Sequence, residues 1–233
     1  MKKKAIVVGL FGMVCVLAAP AQEMQRVKSV EPKLEDVFHV MNDLGIHVFR
    51  FDLGGFLDAV YEVEGYVAEY KDNRPTGNVH TFQFGNNIRS LDEIPEEHRQ
   101  GFRDKYQIPE GETRWESIKD MVVCIRHLNE KDSTAVIQFS SADVGSSGKP
   151  FKLQILKSFG IYKYGFRPFS LEPGGEKEVQ DIPLVLYGSW WEEPGTTICR
   201  FCGESEIDPG LQAEMLTDVP HYYVIGLRMK KKN

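Results

Sequence analysis

The chain has 233 residues, 42% hydrophobic and 11% aromatic, which is enough to bury a core and too apolar for a disordered segment. Its 34 acidic residues outnumber 28 basic ones, and the net charge of −6 repels phosphate backbones, which argues against nucleic acid as a partner. Four cysteines in this length are too few for a disulfide-stapled scaffold, so the fold must rest on its hydrophobic core.

Lys2, Lys3 and Lys4 open the chain, Ala5 to Ala18 is uncharged and apolar, and Ala19-Pro20-Ala21 offers a small-residue cleavage pattern. The apolar run of about 14 residues suits the core of a signal peptide and falls short of the roughly 20 that cross a bilayer. The expectation is a cleaved leader, residues 1–21, followed by one β-rich domain over residues 22–233, exported to the periplasm or beyond. Val14 precedes Cys15 where a lipobox carries a small residue, so no lipid anchor is expected, and no later stretch is apolar enough to span a membrane. Cleavage removes three lysines and no acid, which makes the exported domain more acidic still; it retains Cys124, Cys199 and Cys202.

Leu34, Val37, Phe38, Met41 and Leu44 recur at helical spacing before Gly45, which predicts an amphipathic helix over 33–44, a hairpin turning at Asn42-Asp43 being the alternative. From Ile46 the period becomes two. A strand over Ile46–Phe51 is broken at Leu53-Gly54-Gly55, and a longer one follows over Ala59–Tyr70 with neither face cleanly polar. A turn at 72–78 leads to a strand over Val79–Phe84, and Pro95-Glu96-Glu97 opens a charged helix running to Tyr106. Further strands are expected at 121–128, 134–140, 152–156, 161–166, 182–191, 196–201 and 221–229, with 144–150 a glycine- and serine-rich loop. Short strands separated by Gly, Pro and Asp turns define a mostly β fold: a β-sandwich or jelly-roll-like pair of antiparallel sheets with one or two short helices.

The segment His47-Val48-Phe49-Arg50-Phe51-Asp52-Leu53, with Tyr61-Glu62-Val63 and the turn Glu69-Tyr70-Lys71-Asp72, resembles the opening hairpin of uncharacterised secreted β-sandwich proteins of gut bacteria. That resemblance covers residues 47–72, implies a family with no assigned function, and brings no catalytic residue with it.

Cys199-Arg200-Phe201-Cys202 is open to three readings. A zinc knuckle would need four ligands, and the chain has one further cysteine and scattered histidines to offer, so no metal is expected. A redox dithiol needs a helix N-terminus to stabilise its thiolate, whereas Gly203-Glu204-Ser205-Glu206 follows. The third reading is structural: two small residues or a local Cys199–Cys202 disulfide, which demands a turn because a regular strand sends residues three apart to opposite faces.

Trp190-Trp191-Glu192-Glu193 is the strongest ligand-binding candidate. Neighbours on a strand face opposite ways, so one indole is expected in the core and the other outside, where a ring beside carboxylates stacks on the C–H face of a sugar. Tyr222 in Tyr222-Tyr223 follows the same logic, although large aromatics are mostly buried. No His-Glu-x-x-His, Gly-x-Ser-x-Gly or phosphate-loop pattern is present, and no cofactor is expected. The leading expectation is a non-catalytic exported binding domain whose partner is a glycan or another exported protein. A hydrolase with carboxylates converging in a cleft and a structural role through an open strand edge are the alternatives.

Overall fold

The computed structural model describes residues 31, 33–170 and 178–232; the expected leader lies outside them. The chain runs through α1 (Leu34–Asp43), β1 (Ile46–Asp52), β2 (Tyr61–Lys71), β3 (Arg74–Asn86), β4 (Ile88–Ser90), α2 (Glu96–Tyr106) and β5 (Arg114–Glu116). It continues with β6 (Asp120–Arg126), β7 (Thr134–Ser141), β8 (Gly145–Lys152), β9 (Tyr164–Pro168), β10 (Val179–Ser189), β11 (Trp191–Glu192), β12 (Cys199–Arg200) and β13 (His221–Lys231). Two antiparallel sheets dominate, one of four strands in the order β1-β6-β7-β8 and one of five in the order β3-β2-β13-β10-β9. The mostly β, sandwich-like reading of the sequence holds.

The two sheets share one core because their strands alternate. Met121, Val123 and Ile125 of β6 and Ala135, Ile137 and Phe139 of β7 are fully buried in the same cluster as Val63 and Val67 of β2 and Ile225 and Leu227 of β13. Each of these side chains apart from Ala135 contributes about 1.5–3 kcal/mol through burial. The outer face of the five-stranded sheet carries a second core, in which Tyr66, Leu186, Tyr222 and Val224 lie under Ile207, Leu216 and Val219. Strand β13 is therefore covered on both faces, which accounts for its nearly continuous apolar run.

Both predicted helices are present. Asp36 accepts the backbone N–H of Lys33 at 2.7 Å to start α1, and Gln107 closes α2 in the left-handed region at φ 51°. Leu34, Val37, Phe38 and Val40 of α1 stay exposed, Leu34 at 65%, and only Met41 is half-buried, so the amphipathic pattern is real without reaching the core.

Several expected boundaries are corrected: β3 starts at Arg74, inside the turn expected at 72–78, and of the strand expected at 196–201 only Cys199 and Arg200 pair. Residues 144–150, read as a loop from their glycines and serines, form most of β8; Gly148 approaches so closely that a Cβ there would lie 2.7 Å from Gln138 Cα, and glycine is what permits the pairing. Of the strand expected at 152–156, only Lys152 is in a strand, and Leu156 makes an isolated bridge to Ile161. The strand expected to run through Trp191 ends at Ser189: the Trp190 N–H makes one last bond toward β9, to the Lys163 carbonyl at 2.9 Å, and Trp191 pairs instead with Arg200 of β12.

Candidate functional site

The site grows from a pair of glycines. Gly165 of β9 and Gly188 of β10 are paired across the ladder, and together they leave a flat slot on the outer face of the sheet. The ring of Phe201 fills that slot: a Cβ on Gly165 would lie 2.5 Å from it and one on Gly188 3.3 Å from it. Arg167 holds the ring and its backbone in place, with the guanidinium 4.6 Å from the ring centroid and Nη2 donating to the Phe201 carbonyl at 3.0 Å. Arg167 Nε also donates to the Glu204 carbonyl at 2.9 Å, and the Glu204 carboxylate accepts the Glu214 N–H at 2.8 Å. The 201–219 segment is thereby pinned to the sheet.

Phe201 in turn supports both tryptophans. Its centroid lies 6.3 Å from Trp190, nearly parallel, and 6.4 Å from Trp191, tilted by 54°. Both indoles are half-buried, so the expected division into one inside and one outside gives way to two partly open rings. Trp191 packs on the second core, and Lys163 places its ammonium 4.2 Å from the Trp190 ring centroid. Replacing Phe201 with Ala should cost about 2–3 kcal/mol and red-shift the tryptophan emission as both indoles lose their support. Unchanged emission would show that the rings stand without it.

Ser189, Trp190, Trp191 and Glu192 line one pocket of about 260 Å³ together with Gln154 and Lys157. Glu192 is fixed there by Ser158, whose hydroxyl and backbone N–H both donate to its carboxylate, the latter at 2.8 Å. Those hydrogen bonds from Ser158 hold its pKa below the ordinary carboxylate value, so Glu192 is an ionised acceptor. Ser189 is 3% exposed, and its Oγ has no hydrogen-bond partner among the described residues. A buried hydroxyl of this kind costs free energy until something reaches it.

The other nominated residues fall elsewhere. Tyr222 is fully buried, stacked on Tyr70 at 4.8 Å with its hydroxyl donating to Asn73 at 2.7 Å; it shares the second core with Trp191 but does not line the pocket. Cys199, half-buried on β12, and Cys202, exposed beyond it, are both free thiols here. Among the described residues, no three His, Cys, Asp or Glu side chains are placed to share a metal ion, and no helix is long and apolar enough to cross a membrane. The sequence reading missed Phe201, Ser189 and Gln154. The Gly165–Gly188 pairing that would have pointed to Phe201 exists only once strand order is known.

Two packed antiparallel sheets with an aromatic, carboxylate-bearing pocket at the end of one of them define the class: a β-sandwich protein with a surface pocket built on β10 and β11. The chain belongs to the family described as domain of unknown function DUF5041, whose family model matches residues 16–231. No curated protein and no solved structure matches the chain.

Proposed function

We propose that this is an exported, non-catalytic binding domain whose ligand is a glycan. Export rests on Lys2 to Lys4, the apolar run to Ala18 and the Ala19-Pro20-Ala21 cleavage pattern. The single observation that carries the ligand class is the lining of one pocket by two half-open indoles, an ionised carboxylate and a buried hydroxyl without a partner. Indole faces meet the C–H side of a pyranose, while Glu192 accepts and Ser189 and Gln154 donate or accept at its hydroxyls.

The test is a thermal-shift screen of the purified protein against plant and host glycans, short peptides and divalent metals. A ligand that binds only the folded state adds about 2.7 kcal/mol at a hundredfold excess over its Kd. A neutral glycan should raise the melting temperature, Trp191→Ala should abolish the shift, and Ser189→Ala should weaken it. A panel without any glycan shift would overturn the reading, and a shift confined to peptides would replace it with a protein-partner role.

A hydrolase reading has one observation in its favour: Glu192 and Asp218 line the same pocket. Glu192, held ionised, suits a base or nucleophile, and the reading then requires an acid partner with a raised pKa. New reducing ends on incubation with a bound glycan would establish it.

A further inference from the structure

The pocket does not end at Trp191. A second pocket of about 460 Å³ shares Trp191, Glu192 and Asp218 with the first and extends past them to Pro194, Arg200, Cys202 and Thr217. The first lobe is bounded by Gln154, Lys157 and Ser189, so Trp191 and Glu192 form a ridge between two lobes of one groove. The ridge is rigid: β11 pairs with β12 through Trp191 to Arg200 and Glu192 to Cys199, and Ser158 anchors the Glu192 carboxylate from the first lobe's side. A single sugar ring can occupy one lobe and touch the ridge, but it leaves the other lobe empty.

Charge narrows the ligand further. The acids Glu192, Glu193 and Asp218 line the groove, and its cations are Lys157 and Arg200. Arg200 is already paired with Glu193 at 2.7 Å, which leaves Glu192 and Asp218 against the single charge of Lys157. A uronate or sulfated sugar would bring its charge against an unbalanced acidic wall.

We infer that the groove takes a neutral oligosaccharide of at least two units, lying across Trp191 with sugar rings in both lobes and a hydroxyl on the unpartnered Ser189 Oγ. This deepens the glycan reading and rests on it. The gain from the second lobe comes from a second ring's contacts made without a second loss of overall freedom, so affinity should rise with chain length until both lobes are filled.

The experiment is a calorimetric titration of the purified protein with β-1,4-gluco-, β-1,4-manno- and α-1,4-gluco-oligosaccharides of one, two, four and six units. Oligogalacturonates serve as the anionic control. In the binding series, affinity should climb about tenfold or more from one unit to four and then level. Cys202→Trp fills the second lobe from an exposed position and should erase the gain in affinity with length. Ser189→Ala should weaken every length. Equal affinity at all lengths, or a length gain that survives Cys202→Trp, would overturn this inference while leaving the glycan reading standing. Oligogalacturonates binding as tightly as the neutral series would overturn the claim of neutrality. Binding by no member of the panel would overturn both readings together.

Discussion

Asn87→Ala is expected to lower the stability of the protein by about 4 kcal/mol, one of the largest effects of any single polar substitution in the fold. Asn87 is fully buried between β3 and β4, and its side chain uses every bond it has. Oδ1 accepts the backbone N–H groups of Tyr61 at 2.7 Å and Ile88 at 2.8 Å, while Nδ2 donates to the carbonyls of Phe56 at 2.5 Å and Ala59 at 3.3 Å. Its backbone carbonyl also accepts from Ser117 at 2.7 Å and Ile118 at 3.1 Å. One residue therefore joins β2, the turn before it, β4 and the approach to β6. Alanine takes the partner from one buried backbone group, the Tyr61 N–H, and from three half-buried ones; a fully buried group costs about 1–3 kcal/mol and the half-buried ones less, because water reaches them. Urea denaturation should show a lower midpoint with an unchanged slope. A loss below about 1 kcal/mol would mean that water replaces the amide.

The second large effect is pH-dependent. His221 is 1% exposed, with Nδ1 2.5 Å from the Tyr164 hydroxyl and Nε2 3.0 Å from Glu69 Oε1. Burial pushes the Tyr164 pKa far up, so its O–H is intact and donates to Nδ1; Nε2 then carries the imidazole proton and donates to Glu69. The neutral ring is thus fully satisfied, and a second proton on Nδ1 would confront the Tyr164 O–H. Burial holds the His221 pKa below 6.5, with Glu69 only partly offsetting it. Burial would raise Glu69, but hydrogen bonds from Asn78, His221 and Thr76 and the charge of Lys71 outweigh it and bring Glu69 down to about 2.

Both shifts give the same sign. Below pH 6.5 the unfolded chain takes up a proton on residue 221 that the folded chain refuses, so stability falls as the pH drops through that value. It falls again between the ordinary carboxylate value of 4.5 and about 2, as Glu69 protonates. His47, lowered by burial and by His127, adds slope of the same sign, so the wild-type curve alone cannot assign the first phase. His221→Gln removes the titrating group, and its stability should change less than that of the wild type between pH 8 and pH 5.5. His221→Ala should cost about 3 kcal/mol at pH 8 by leaving the buried Tyr164 O–H without an acceptor and removing the hydrogen bond to Glu69 Oε1. Parallel curves for wild type and His221→Gln would place the acid sensitivity elsewhere.

The parts of the fold that were legible in the sequence were those decided by one strand's own pattern. The alternation of Val123 and Ile125, and of Ala135, Ile137 and Phe139, reads as half-buried strand without knowledge of a partner. Gly145-Ser146-Ser147-Gly148 carries turn chemistry, and only the close approach of Gly148 to β7 makes it a strand. Tyr222 looked available for a ligand because nothing in its own strand announces the 201–219 segment that closes over it. Trp190, Trp191 and Glu192 were visible as a group of residue types, whereas the support from Phe201 and the bonds from Ser158 depend on segments brought together by the fold. Asn87 was silent for the same reason: its four bonds reach positions as far as 31 residues away.

Strand β3 forms one outer margin of the five-stranded sheet, and much of its length is exposed. A margin of that length is a template on which a further chain could grow, and growth of that kind ends in fibrils. Pro75 removes one donor from it, and the pairing with β2 slips its register between Val63 and Glu64 and again between Ala68 and Tyr70. The ribbon is thus kinked and chemically interrupted where a flat partner would have to zip, which disfavours the addition of another copy along it.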